Sequence, residues 1–223
     1  MKLIDRTQVL QSAALALAAL TCAIAPTAPA WAQTSNATSA LIQKVVRVRG
    51  TLRSVDQASL VIEQPNGKTL SLARSPKMTV QEVYPIELAD IEQGSFVGTT
   101  GMPQPDGTQK ALEVHVFPPS ARGTGEGHYA WDLRPGSTMT NASVASLAPA
   151  PASFEGGRTL RLRYAGGEQT VIVPPGVPIV TFKPADDALL VPGAKVLAFA
   201  EERNGMPIAT SVQAGRNGFA PPY

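Results

Sequence analysis

Cysteine is almost missing from this chain. Cys22 is the only one among 223 residues. It sits in a segment that reads as a removable leader, so the mature protein is expected to have no thiol. That excludes disulfides, thiol catalysis and cysteine-ligated metal. Histidine is nearly as scarce, with two in the chain, so no site with several imidazoles at fixed spacing can be assembled. There is no G-x-S-x-G elbow, no H-E-x-x-H, no phosphate-binding P-loop and no G-x-G-x-x-G after a strand. Asp186-Asp187 and Glu201-Glu202 are neighbours in sequence, and neighbours on a strand face opposite ways, so neither pair is an acid/base couple. We expect no enzyme and no cofactor. Net charge is also low, with 19 basic against 17 acidic side chains. Such a balance gives no strong field for nucleic acid or anionic membrane.

What is present begins with an address. Lys2 and Arg6 precede an apolar run from Ala13 to Ala25, about the length of a signal-peptide core and short of the roughly twenty residues that span a bilayer. Ala30-Trp31-Ala32 is an A-x-A cleavage pattern, which places a cut after Ala32. A lipoprotein would need small residues directly before Cys22, where Leu20-Thr21 stand. Loss of Lys2, Asp5 and Arg6 takes the formal charge from +2 to +1. Residues 33–43, polar and small, read as a tether. The chain is expected to be periplasmic or secreted, with no later span.

The remaining residues repeat. "SLVIEQPNGKTLSL" (59–72) lies over "TLRLRYAGGEQTVIV" (159–173), each an alternating strand, a glycine turn and a second strand. Asn66-Gly67 and Gly166-Gly167 suit primed hairpin turns. Further on, Gly94 lies over Gly193, Gly107 over Gly205 and Val114 over Val212. In "VVRVRGTLRSV", Val46, Val48, Gly50 and Leu52 alternate with Arg47, Arg49, Thr51 and Arg53. In "KALEVHVF", Leu112, Val114 and Val116 alternate with Glu113, His115 and Phe117. Period two with one apolar face means half-buried antiparallel strands. Only "PIELADIEQG" and its partner "ADDALLVPG" resemble helical turns. The expectation is all-β: two tandem OB-like barrels of about five strands, at 44–118 and 142–217, with a crossover at 119–141 and a tail at 218–223. A small β-sandwich competes.

These residues also carry a resemblance. "VRGTLRSVDQASLVIEQPNGKTLSL", "LADIEQGSFVGTTGMPQPDGTQKALEVHVF" and "GTGEGHYAWDLRPGSTMTNASV" are similar to exported, uncharacterised Gram-negative bacterial proteins with repeats of a small β-barrel domain of unknown function. The resemblance spans about Val45 to Gly218 and implies an envelope location and no defined activity. Some members carry metal-transport labels, yet this chain lacks a permease's apolar spans.

Two sites stand out. In the crossover, Glu126, His128 and Asp132, joined by His115 if the segment folds back, have the chemistry of a divalent-metal site. The alternative is an ordered connector glued down by Tyr129, Trp131 and Leu133, with His115 a solvated strand residue. Arg47, Arg49 and Arg53 share one strand face, as do Arg161 and Arg163. With Trp131 and Tyr129 the first three could form a surface for an envelope protein or anionic glycan. No aromatics interleave these arginines, so nucleic acid is not expected. The leading expectation is a non-catalytic binding or interaction module; a periplasmic metal-binding accessory is second.

Overall fold

A computed structural model describes residues 45–222. The expected leader 1–32 and tether 33–43 lie outside the described residues. Twelve strands lie among the described residues: β1 Val45–Val55, β2 Ser59–Glu63, β3 Thr69–Pro85, β4 Phe96–Pro103, β5 Gln109–Val116, β6 Gly127–Ala130, β7 Thr138–Pro149, β8 Arg158–Tyr164, β9 Gly167–Val173, β10 Ile179–Ala185, β11 Lys195–Arg203 and β12 Met206–Ala214. The protein is all-β. Among the described residues the helical elements are single 3-10 turns, two of them at Leu88–Asp90 and Asp187–Leu189, where the sequence suggested helical inserts. No helix of the described residues is long and apolar enough to cross a membrane.

Strand propensity and turn chemistry act together at the first hairpin. Leu60, Ile62 and Leu72 are fully buried, and the Asn66-Gly67 turn joins β2 to β3, with Gly67 at φ +78° donating to Gln64 O at 2.9 Å. That left-handed angle is one glycine reaches without a Cβ clash. β1, β2, β3, β12 and β11 then close into a five-strand barrel. β1 pairs with β2 and with β11, β2 with β3, β11 with β12, and the ring shuts where β12 runs parallel to β3. Closure leaves no unpaired edge in that ring, and it removes the sandwich alternative.

The composition of the ring corrects the expected boundaries. β1, β2 and β3 come from the first expected unit, but β11 and β12 come from the second. The five strands of 44–118 do not close on one another. β4 and β5 instead continue beside β7, β8 and β9: β4 pairs with β5 and β7, β7 with β8, β8 with β9, and β5 meets β9 at Gln109↔Val171 and Lys110↔Ile172. β10 lies between the two groups, antiparallel to β3 and parallel to β5.

The register across the β3–β10 seam is symmetric. Val80 pairs with Ala185 and Val180 with Pro85, so residues one hundred apart exchange places across the β3–β10 seam. β-bulges fall at Thr100/Gly101 in β4 and at the matching Phe199/Ala200 in β11. Three apolar clusters fill the fold. One lies in the closed barrel around Leu52, Leu60, Leu72 and Val212, and one lies among β4, β5, β7, β8 and β9 around Val97, Val114, Leu160 and Leu162. The third, Val83, Phe96, Phe117, Val180, Phe182 and Leu197, sits at the seam, with Phe219 of the C-terminal tail packed on it.

Candidate functional site

The crossover is an ordered ribbon. β6 pairs with β7, Gly127 opposite Asn141 and His128 opposite Thr140. Beyond it, Trp131 N–H donates to Ser137 O at 2.8 Å, and the buried Ser137 hydroxyl lies 3.0 Å from Trp131 O and 2.7 Å from Arg134 O. This closes a loop that carries Trp131 and Asp132 onto β1. There Asp132 accepts from Arg47 Nε at 3.1 Å and from Arg49 at 2.9 Å. The Arg47 guanidinium also lies over the Trp131 ring, 4.0 Å from its centroid. Partial burial pushes the Asp132 carboxyl up, but the hydrogen bonds and charges of Arg49 and Arg47 outweigh it and hold the group below its ordinary range. Burial raises the Tyr129 hydroxyl, with the Arg47 charge opposing.

Arg47 and Arg49 are therefore engaged by the crossover, and Arg53 pairs with Glu63 across the hairpin at 2.6 Å. The expected basic face is largely matched by carboxylates on its own chain. Arg163 likewise pairs with Glu168.

The four candidate metal ligands are not gathered. Glu126 accepts from Ala165 N at 2.9 Å. His128 Nδ1 lies 2.8 Å from Thr140 Oγ1, and its ring stacks near Tyr164. Asp132 is in the arginine clamp. His115 lies elsewhere, and the sheet explains why. His115 is opposite Gly98, Gly98 opposite Asn141, and Asn141 opposite Gly127. His128 follows Gly127, so the pleat turns it to the other face from His115. No group of three His, Cys, Asp or Glu suited to a metal ion occurs among the described residues.

His115 was expected to be solvated; the structure instead buries it, with 5% exposure. The face of β5 that alternation assigned to water is covered by the crossover and the seam aromatics. His115 packs edge-on to Phe117, centroids 4.8 Å apart. Its Nδ1 lies 3.2 Å from Glu113 Oε2, and Glu113, fully buried, accepts at Oε1 from Thr100 N at 2.9 Å and Thr100 Oγ1 at 2.6 Å. Both oxygens of that side chain have hydrogen-bonding partners, as buried polar atoms require. Gly98 makes room for the ring: a Cβ there would stand 2.0 Å from His115 Nε2 and 2.6 Å from Asn141 Oδ1. Sequence reading missed Glu113. The signal available was a carboxylate two residues from a histidine on one strand face.

Above this layer lies a cavity of about 640 Å³, within the range of small-molecule sites. Phe117, Phe182, Phe199 and Met139 supply apolar wall, Tyr129 and Trp131 come from the crossover, Arg47 from β1 and His115 from β5. Asn141 and Gln213 also line it. Asn141 Nδ2 donates to Thr124 O and Tyr129 Oη, and Gln213 Nε2 donates to Gln81 Oε1. That leaves Trp131 Nε1, Asn141 Oδ1 and Gln213 Oε1 buried with no hydrogen-bond partner among the described residues. Each such group costs about 1–3 kcal/mol until something pairs with it.

No family model, no curated protein and no solved structure matches the chain.

Proposed function

We propose that this chain is an exported, non-catalytic binding module of the bacterial envelope that holds a small ligand in the cavity beneath its crossover. In this reading the fold is two OB-like five-strand barrels that have exchanged their last hairpins. The pairing of β5 with β9 at one end and with β10 at the other mirrors the run of β12 along β3, which supports that reading. The observation that carries the function is the cavity itself, walled in part by Phe117, Phe182 and Phe199, with Tyr129 and Trp131 delivered by an ordered ribbon. Recognition is assigned there rather than to the arginine face, because Arg47 and Arg49 already hold Asp132.

The test uses 1-anilinonaphthalene-8-sulfonate, whose fluorescence rises in apolar sites. One equivalent is expected to bind the purified chain, and Ser211→Trp, which fills the cavity from β12, is expected to abolish binding without lowering Tm. Equal binding by both proteins, or none by either, overturns the proposal. Export is checked by fractionation and N-terminal sequencing; a chain retained in the cytoplasm with residues 1–32 intact contradicts the envelope assignment.

A further inference from the structure

We infer that the cavity takes an amphipathic organic acid: an apolar body bearing one anionic group, which the outer end of the Arg47 guanidinium holds. The inference rests on the cavity reading above and adds the ligand's charge.

Arg47 is the one guanidinium in the wall, and among the described residues no carboxylate lines the cavity. Its charged head, and not only its stem, belongs to the wall: it lies over the ring of Trp131, another lining residue, 4.0 Å from the centroid. Asp132 takes only the Nε of this fork, which lies 3.1 Å from each carboxylate oxygen. The two Nη nitrogens hydrogen-bond to nothing among the described residues. Nor are they sealed off. The buried side-chain atoms that lack a partner belong to Trp131, Asn141 and Gln213, not to Arg47, whose side chain keeps 24% exposure. Two parallel N–H groups on one rigid plane match the two oxygens of an acid group.

The charge count points the same way. Asp132 is one carboxylate between two guanidiniums, Arg47 and Arg49, so the clamp carries a positive surplus. Glu113 stands behind His115, fully buried, and is met by Thr100 and His115. It does not line the cavity. Apolar walls keep out the water that would screen the surplus, which strengthens its pull on an anion. A cation finds no counter-charge there. The remaining walls take the guest's body. Phe117 and Phe182 meet edge to face with centroids 5.5 Å apart, and Phe199 and Met139 extend the apolar lining. A neutral apolar guest would displace water from the Nη pair and give no acceptor in return.

The experiment compares two fluorescent probes that share one ring system. 1-Anilinonaphthalene-8-sulfonate carries an anionic group, and N-phenyl-1-naphthylamine is the same body without it. Titrated into the full chain at low salt, the sulfonate is expected to bind about tenfold tighter than the neutral probe. Arg47→Gln is expected to remove that preference by weakening the sulfonate alone, and added sodium chloride to narrow it. Circular dichroism confirms that the variant is folded. The comparison of probes on the wild-type chain needs no variant, so the outcome does not hang on folding. Equal or tighter binding of the neutral probe, or a preference that survives Arg47→Gln intact, overturns this inference. The cavity reading still stands in that case if Ser211→Trp abolishes binding of both probes. Failure of both probes to bind the wild-type chain removes the two together.

Discussion

Two rows of three residues cross this molecule, one in each of its two groups of strands. In one, Asn141 on β7 faces Gly98 on β4, which faces His115 on β5. In the other, Arg49 on β1 faces Leu197 on β11, which faces Gln213 on β12. The backbone lattice is the same, and the chemistry is not. The glycine row opens space for an imidazole backed by a buried carboxylate. The leucine row fills that space with an apolar side chain and leaves an amide. His115 and Gln213 both reach the cavity at the seam. Two similar strand lattices thus supply unlike walls of one chamber.

The largest expected effect tests whether the two halves are energetically joined. Leu60 and Leu160, both fully buried and one in each of two apolar clusters, are each expected to cost about 2–5 kcal/mol as alanine. Because the strand groups share hairpins, both variants should shift one cooperative denaturant transition. Two separate transitions, each sensitive to one variant, would mean the halves fold independently.

Next comes the row itself. Gly98→Ala forces a Cβ to within 2.0 Å of the His115 ring, and overpacking of this kind costs about 1–3 kcal/mol. In a His115→Ala background the penalty should largely vanish. A double-mutant cycle with no coupling would show that Gly98 does not make room for the imidazole.

Trp131→Ala should cost about 1–2 kcal/mol, less than a full core truncation, since Trp131 is half-buried and part of its worth is the contact with Arg47. An unchanged melting curve would mean that the ribbon gains nothing from the ring.

The smallest effect belongs to Asp132→Asn, where nearly half the side chain is exposed and solvent screening limits the pairs with Arg47 and Arg49 to about 0–1 kcal/mol. The sign follows from the lowered carboxyl pKa. The contribution is fully present above the ordinary value of 3.8 and is lost as pH falls through the lower folded value. The acid limb of the wild-type stability curve below that point should therefore flatten slightly in the variant; a steeper limb would contradict the clamp.

Alternation along β1 put Val46, Val48, Gly50 and Leu52 on the apolar face, and Val48 and Leu52 are buried there, because period two says which side of a strand is apolar. The same rule failed at His115 and Glu113: β5 is covered on both faces, and a polar face can be buried when its partners lie far along the chain. The crossover's order was readable from its tryptophan, whereas the grip of Asp132 on two arginines more than eighty residues away was not.

Local chemistry by itself determined the alternating strands and the Asn66-Gly67 turn, because each depends on neighbours in the chain. Tertiary structure alone decided that β11 and β12 would complete a ring begun by β1, β2 and β3, and that a chamber would open at the seam. Several hairpins offer similar edges to a strand, so the choice of partner rests on how whole faces pack.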